Sequence, residues 1–77
     1  MNQFQLKEHT RDHISYLYKP EGRGNWGEIL FDFATGVAQI VLRADENSLW
    51  HDRHAVSKVE ECAKMKSLPL EFTQAWY

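Results

Sequence analysis

Two adjoining stretches with a side-chain period of two constrain this chain more than any other feature. From Trp26 to Phe33, Ile29, Phe31 and Phe33 fall on one side and Glu28, Leu30 and Asp32 on the other, the pattern of a half-buried strand. Ala34-Thr35-Gly36 then predicts a three-residue hairpin loop ending on a left-handed glycine. Val37 to Ala44 resumes the alternation, setting Ala38, Ile40, Leu42 and Ala44 against Val37, Gln39, Val41 and Arg43. Apolar residues on both of its faces predict a central strand.

The flanking segments extend the hairpin. Gln3 to Lys7 alternates Phe4 and Leu6 with Gln5 and Lys7, and after a polar turn His13 to Lys19 carries Ile14, Tyr16, Leu17 and Tyr18, types that suit a pleated surface. Pro20-Glu21-Gly22-Arg23-Gly24-Asn25 predicts a chain reversal before Trp26. Beyond Ala44 the period changes. Asp45-Glu46-Asn47-Ser48 offers Asn47 or Ser48 as N-cap to a helix starting near Leu49 and running to about Lys66, with Ala55, Val56, Val59, Cys62 and Ala63 on one stripe.

Ser67-Leu68-Pro69 ends that helix, because proline has no amide hydrogen and pushes the preceding residue out of the helical region. The tail Leu70 to Tyr77 places Leu70, Phe72 and Trp76 on a common face if extended, so it is expected to be ordered, as an edge strand or docked on the helix. Residues 1–77 thus read as a single α+β domain. Its expected architecture is an antiparallel β-meander of three to four strands, covered on one face by a single α-helix in the C-terminal half and completed by an ordered aromatic tail.

Composition narrows the function classes. A chain of 77 residues holds one core and buries only roughly 60% of the surface its unfolded form exposes, so self-association is the expected supplement. Apolar residues at 43% and charged residues at 26% describe a globular chain rather than a disordered one. The net charge of −2 argues against nucleic acid, whose binders take much of their affinity from neutralised phosphates. Cys62 has no second cysteine to pair with, no basic-then-apolar leader opens the chain, and no apolar run approaches the roughly 20 residues that span a bilayer. A cytoplasmic protein outside the membrane is the expectation.

No residue set points to catalysis. His51 and His54 share adjacent helical turns, with Asp52 between them, but no Cys-x-x-Cys or His-Glu-x-x-His completes a zinc site, so neither metal nor cofactor is expected. Cys62 lies on the apolar stripe, and His51, its nearest basic candidate on that side, is roughly 16 Å away along the helix. Glu60-Glu61 and Asp45-Glu46 are adjacent pairs that point about 100° apart on a helix. A non-enzymatic chain is the expectation.

Gly22 to Gly27, with Arg23 and Trp26, resembles an anion- or RNA-contacting loop, yet it joins two strands, whereas a phosphate loop leads into a helix N-terminus. With Lys19 and Arg43 it forms the alternative reading, a nucleic-acid-associated module. The first reading is a protein-interaction module that also pairs with itself as a homodimer. It rests on an aromatic inventory too large for one side of so small a sheet, with Tyr16, Tyr18, Trp26, Trp50, Trp76 and Tyr77 as candidate interface residues.

The helix segment Arg53-His54-Ala55-Val56-Ser57-Lys58-Val59-Glu60-Glu61 and the ending Gln74-Ala75-Trp76-Tyr77 resemble short bacterial proteins of uncharacterised function. The resemblance covers the second half of the chain. It implies the same strands-then-helix layout and brings no active-site residue with it.

Overall fold

A computed structural model describes residues 2–21, 24–44 and 49–74. Among them the chain forms β1 (Asn2–His9), β2 (His13–Pro20), β3 (Gly27–Asp32), β4 (Val37–Leu42), helix α1 (Leu49–Cys62) and β5 (Glu71–Gln74). The strands make one antiparallel sheet in the order β4-β3-β2-β1-β5, and α1 packs across β2, β3 and β4 on one face. The expected α+β fold is therefore present, with five strands where three to four were expected. The extra strand is the tail, because Glu71 to Gln74 pairs with the free edge of β1 and satisfies backbone groups that would otherwise face water.

The buried face follows the alternation. Phe4 on β1, Ile14, Tyr16 and Tyr18 on β2, and Ile29 and Phe31 on β3 lie under α1 and the segment after it, meeting Ala55, Val59 and Cys62. β5 closes the far side through rings: Phe72 stacks on Phe4 with centroids 4.6 Å apart, and Tyr16 meets Phe72 edge-on at 5.7 Å. Asn2 ties the chain ends to the helix, its Nδ2 donating to the His51 carbonyl at 3.0 Å and to Gln74 Oε1 at 3.2 Å.

Three expectations are corrected. β4 is an edge strand whose outer side carries exposed Val37, and a bulge adds to that side: Ile29 faces Ile40 while Glu28 faces Leu42, so Val41 is the inserted residue and Leu42 turns to the helix-free side. The hairpin loop runs from Phe33 to Gly36, one residue longer than expected. Asp32 Oδ1 accepts from the Ala34 amide at 2.7 Å and holds Phe33 out of the strand. Gly36 does take the left-handed conformation, with φ 72°.

Helix α1 stops at Cys62 rather than near Lys66. After the Ala63 amide bonds to the Val59 carbonyl, the Lys64 and Met65 amides bond to Glu61 and Cys62, so the last turn tightens. Past Ala63 the stripe is no longer buried, and Lys64, Met65 and Lys66 are exposed. The N-cap candidates Asn47 and Ser48 lie outside the described residues. Among the described residues no helix is long and apolar enough to cross a membrane.

Gly27 has a use that its place beside a turn concealed. It faces Tyr18 across the β2–β3 ladder, and a Cβ built there would stand 2.3 Å from Tyr18 Cε1 and 2.7 Å from the Leu42 carbonyl oxygen. The tyrosine ring lies where a side chain would otherwise be. Gly27→Ala should therefore cost about 2 kcal/mol by overpacking, measured as a lowered urea midpoint with unchanged slope. A variant as stable as the parent would show that the ring is free to move aside.

Candidate functional site

Tyr18 reaches across Gly27 to the start of α1. Its hydroxyl donates to Asp52 Oδ1 at 2.6 Å and accepts from the Ala44 amide at 3.3 Å, while Arg43 Nε donates to Asp52 Oδ2 at 3.0 Å. Asp52 is 2% exposed, so its charge is removed from water and compensated by these donors. Sequence reasoning met Asp52 only as a possible metal ligand. The signal was present, since Asp52 stands one and two turns before Ala55 and Val59 and extends the buried stripe.

This network floors one end of an open groove of about 580 Å³ between α1 and β4, lined by Ile40, Arg43, Asp52, Arg53, Val56, Ser57 and Glu60. Its apolar floor is Ile40 and Val56, with arginines at one end. At the other, Glu60 Oε2 accepts from the Ala38 amide at 3.1 Å, so a helix side chain caps an outward-pointing backbone group of the edge strand. Three exposed apolar side chains, Val37, Val41 and Leu42, stand on the same strand.

The rest of the helix-free sheet face differs in kind. Lys7 Nζ lies 2.7 Å from Glu28 Oε1 and the Ser15 hydroxyl donates to Glu28 Oε2 at 3.0 Å, so a polar network crosses its middle. The lysine holds the Glu28 carboxyl below its usual range.

The candidate interface residues separate. Tyr16 and Tyr18 have no exposed surface, which corrects their assignment to a contact surface: each is buried under the helix side with its hydroxyl satisfied, Tyr16 by the Pro69 carbonyl at 2.7 Å. Trp26 is half-buried beneath the Lys19 ammonium, 4.3 Å from its ring centroid. Trp50 is 61% exposed and meets the His54 ring edge-on. Trp76 and Tyr77 lie outside the described residues, as does Arg23 of the glycine-rich loop. Lys19 and Arg43 do not share a surface, since Arg43 turns to the helix side and pairs with Asp52.

The remaining candidates have local partners. His51 Nε2 lies 2.8 Å from Glu21 Oε1, and His13 bonds to Glu8. Cys62 is buried, and burial pushes its thiol up, away from the reactive thiolate. Among the described residues no group of three or more His, Cys, Asp and Glu side chains gathers to hold a metal. No family model matches the chain, and neither curated proteins nor solved structures yield a match.

Burial first, then the hydrogen bond to Asp52, pushes the Tyr18 phenol from 10.0 up to about 12. Burial, then neighbouring Cys62, does the same for Tyr16. Both phenols hold their protons more tightly folded than unfolded, so their contribution is complete below about pH 10 and is lost as the pH rises towards about 12. Urea midpoints should hold to about pH 10 and then fall. Tyr18→Phe should begin about 1–3 kcal/mol less stable at neutral pH, through the donor and acceptor it strands, and fall less steeply above about pH 10. Parallel curves for the two proteins would contradict this role of Tyr18.

Proposed function

We propose that this chain is a small non-enzymatic, cytoplasmic protein-interaction module whose contact surface is β4 and the helix flank beside it. The observation that carries this reading is the concentration of Val37, Val41 and Leu42, all exposed, on a six-residue edge strand without a charge. Lysine, proline and inward-turned charge, which commonly block solitary edge strands, are absent from it, and its protection is limited to the Val41 bulge and the Glu60 carboxylate on the Ala38 amide. The groove between α1 and β4, with its apolar floor and charged ends, and exposed Trp50 in the first turn of α1 add surface of the kind enriched at protein contacts. The nucleic-acid alternative has no comparable support, because Lys19 is spent on Trp26 and Arg43 on Asp52.

A photo-crosslinking residue placed at Val41, with Thr73 on the opposite edge as control, tests the reading in living cells. Discrete protein adducts should form from Val41 and not from Thr73. Adducts from neither position, or equally from both, would overturn it. The adduct mass also separates a second copy, at twice 9.1 kDa, from a different partner.

A further inference from the structure

We infer that the partner of the β4 edge is a second copy of this chain, joined antiparallel about a two-fold axis normal to the sheet, with Arg53 and Glu60 forming reciprocal ion pairs between the two helices. The inference rests on the interaction-module reading and gives it a partner and a geometry.

The strand itself permits self-pairing. Val37-Ala38-Gln39-Ile40-Val41-Leu42 contains no charge and no proline, so antiparallel pairing sets no like charges opposite one another and leaves no backbone amide missing. The Ala38 amide points away from β3, towards Glu60, and by the period-two alternation the Ile40 amide points the same way. Pairing these two residues centres the axis on Gln39. Val37 of one copy then faces Val41 of the other, and the side chains most at odds with water gain cross-strand neighbours.

The helices fit the same axis. Asp52 lies beside Arg43 and Glu60 beside Ala38, so α1 runs antiparallel to β4, and β4 is the strand it contacts most. With strands about 4.8 Å apart, a helix over the β3–β4 boundary stands about 5 Å from the midline of the new pair. Two such helices are about 10 Å apart, an ordinary helix-packing distance.

The charges are arranged for this symmetry. Arg53 and Glu60 line the groove two turns apart, about 10 Å, with Val56 and Ser57 midway between them. A two-fold axis near that midpoint reverses the order, setting Arg53 of each copy against Glu60 of the other. Arg53 is exposed and, among the described residues, in no ion pair. Glu60 then exchanges the Ala38 amide for a guanidinium, and that amide passes to a carbonyl of the partner strand. The Ala38 amide is satisfied in both the lone and the paired state, so the carboxylate protects that point of the edge until a second copy arrives.

Sedimentation velocity on the full chain over about 5–500 µM tests this. The mass should move from 9.1 kDa towards twice that value. Arg53→Glu and Glu60→Arg should each weaken the dimer by more than about tenfold, and the combined exchange should restore it, with helical circular dichroism unchanged throughout. A parent chain that stays monomeric, single reversals that dimerise like the parent, or a folded double variant that stays monomeric would each overturn the inference. A monomeric parent that still gives Val41 adducts of another mass would remove self-pairing and leave the interaction-module reading standing.

Discussion

The contact on which the rest of the structure depends is the Tyr18 ring lying across Gly27. It is possible only because residue 27 has no side chain, and it delivers a hydroxyl to a point where β2, the end of β4 and the start of α1 converge. There it serves both the Asp52 carboxylate and the Ala44 amide, groups whose burial without partners would cost a few kcal/mol together. One aromatic side chain thereby anchors the helix to the sheet. It also sets the groove, since Asp52 and its partner Arg43 form one end of it.

The opposite end of the sheet is secured differently. β5 docks through stacked Phe4 and Phe72, with Tyr16 against their edges, and through Asn2 and Gln74, which bond to each other and to helix carbonyls. Leu6 and Leu70 join by a backbone bond just beyond the β1–β5 ladder. A chain of this length has little core to spare, and covering β1 with the tail buries Phe4 and satisfies an edge at once. Of the two edge strands, β5 turns polar Glu71 and Thr73 outward, whereas β4 exposes apolar side chains without a charge, and the proposed contact surface lies on β4 for that reason.

That edge holds two opposed tendencies. Its apolar, uncharged sequence favours pairing, while Glu60 occupies the Ala38 amide and discourages indiscriminate addition of strands. A carboxylate is a cap that can leave when a better cation is offered, unlike a proline or a covering loop. In the proposed self-pairing the charge order along α1 decides which arrival offers one, which places specificity on the helix and not on the strand.

The layout was legible in the sequence because it rests on period. Ile29 and Phe31 against Glu28 and Leu30, and Ala55, Val59 and Cys62 one turn apart, report burial directly, since a half-buried strand or helix must repeat with its own geometry. Turn chemistry around Gly36 was legible for the same local reason. What only the tertiary structure decided are matters of pairing across long separations. Val41 becomes a bulge because of its register with β3, Glu71 to Gln74 becomes a strand because β1 has a free edge, and Tyr16 and Tyr18 are buried because α1 covers their face. Gly27 and Glu60 look ordinary in one dimension, and the place of Asp52 on the buried stripe tells of its burial but not of its partners. Their roles depend on the atoms that folding brings against them, which no local pattern encodes.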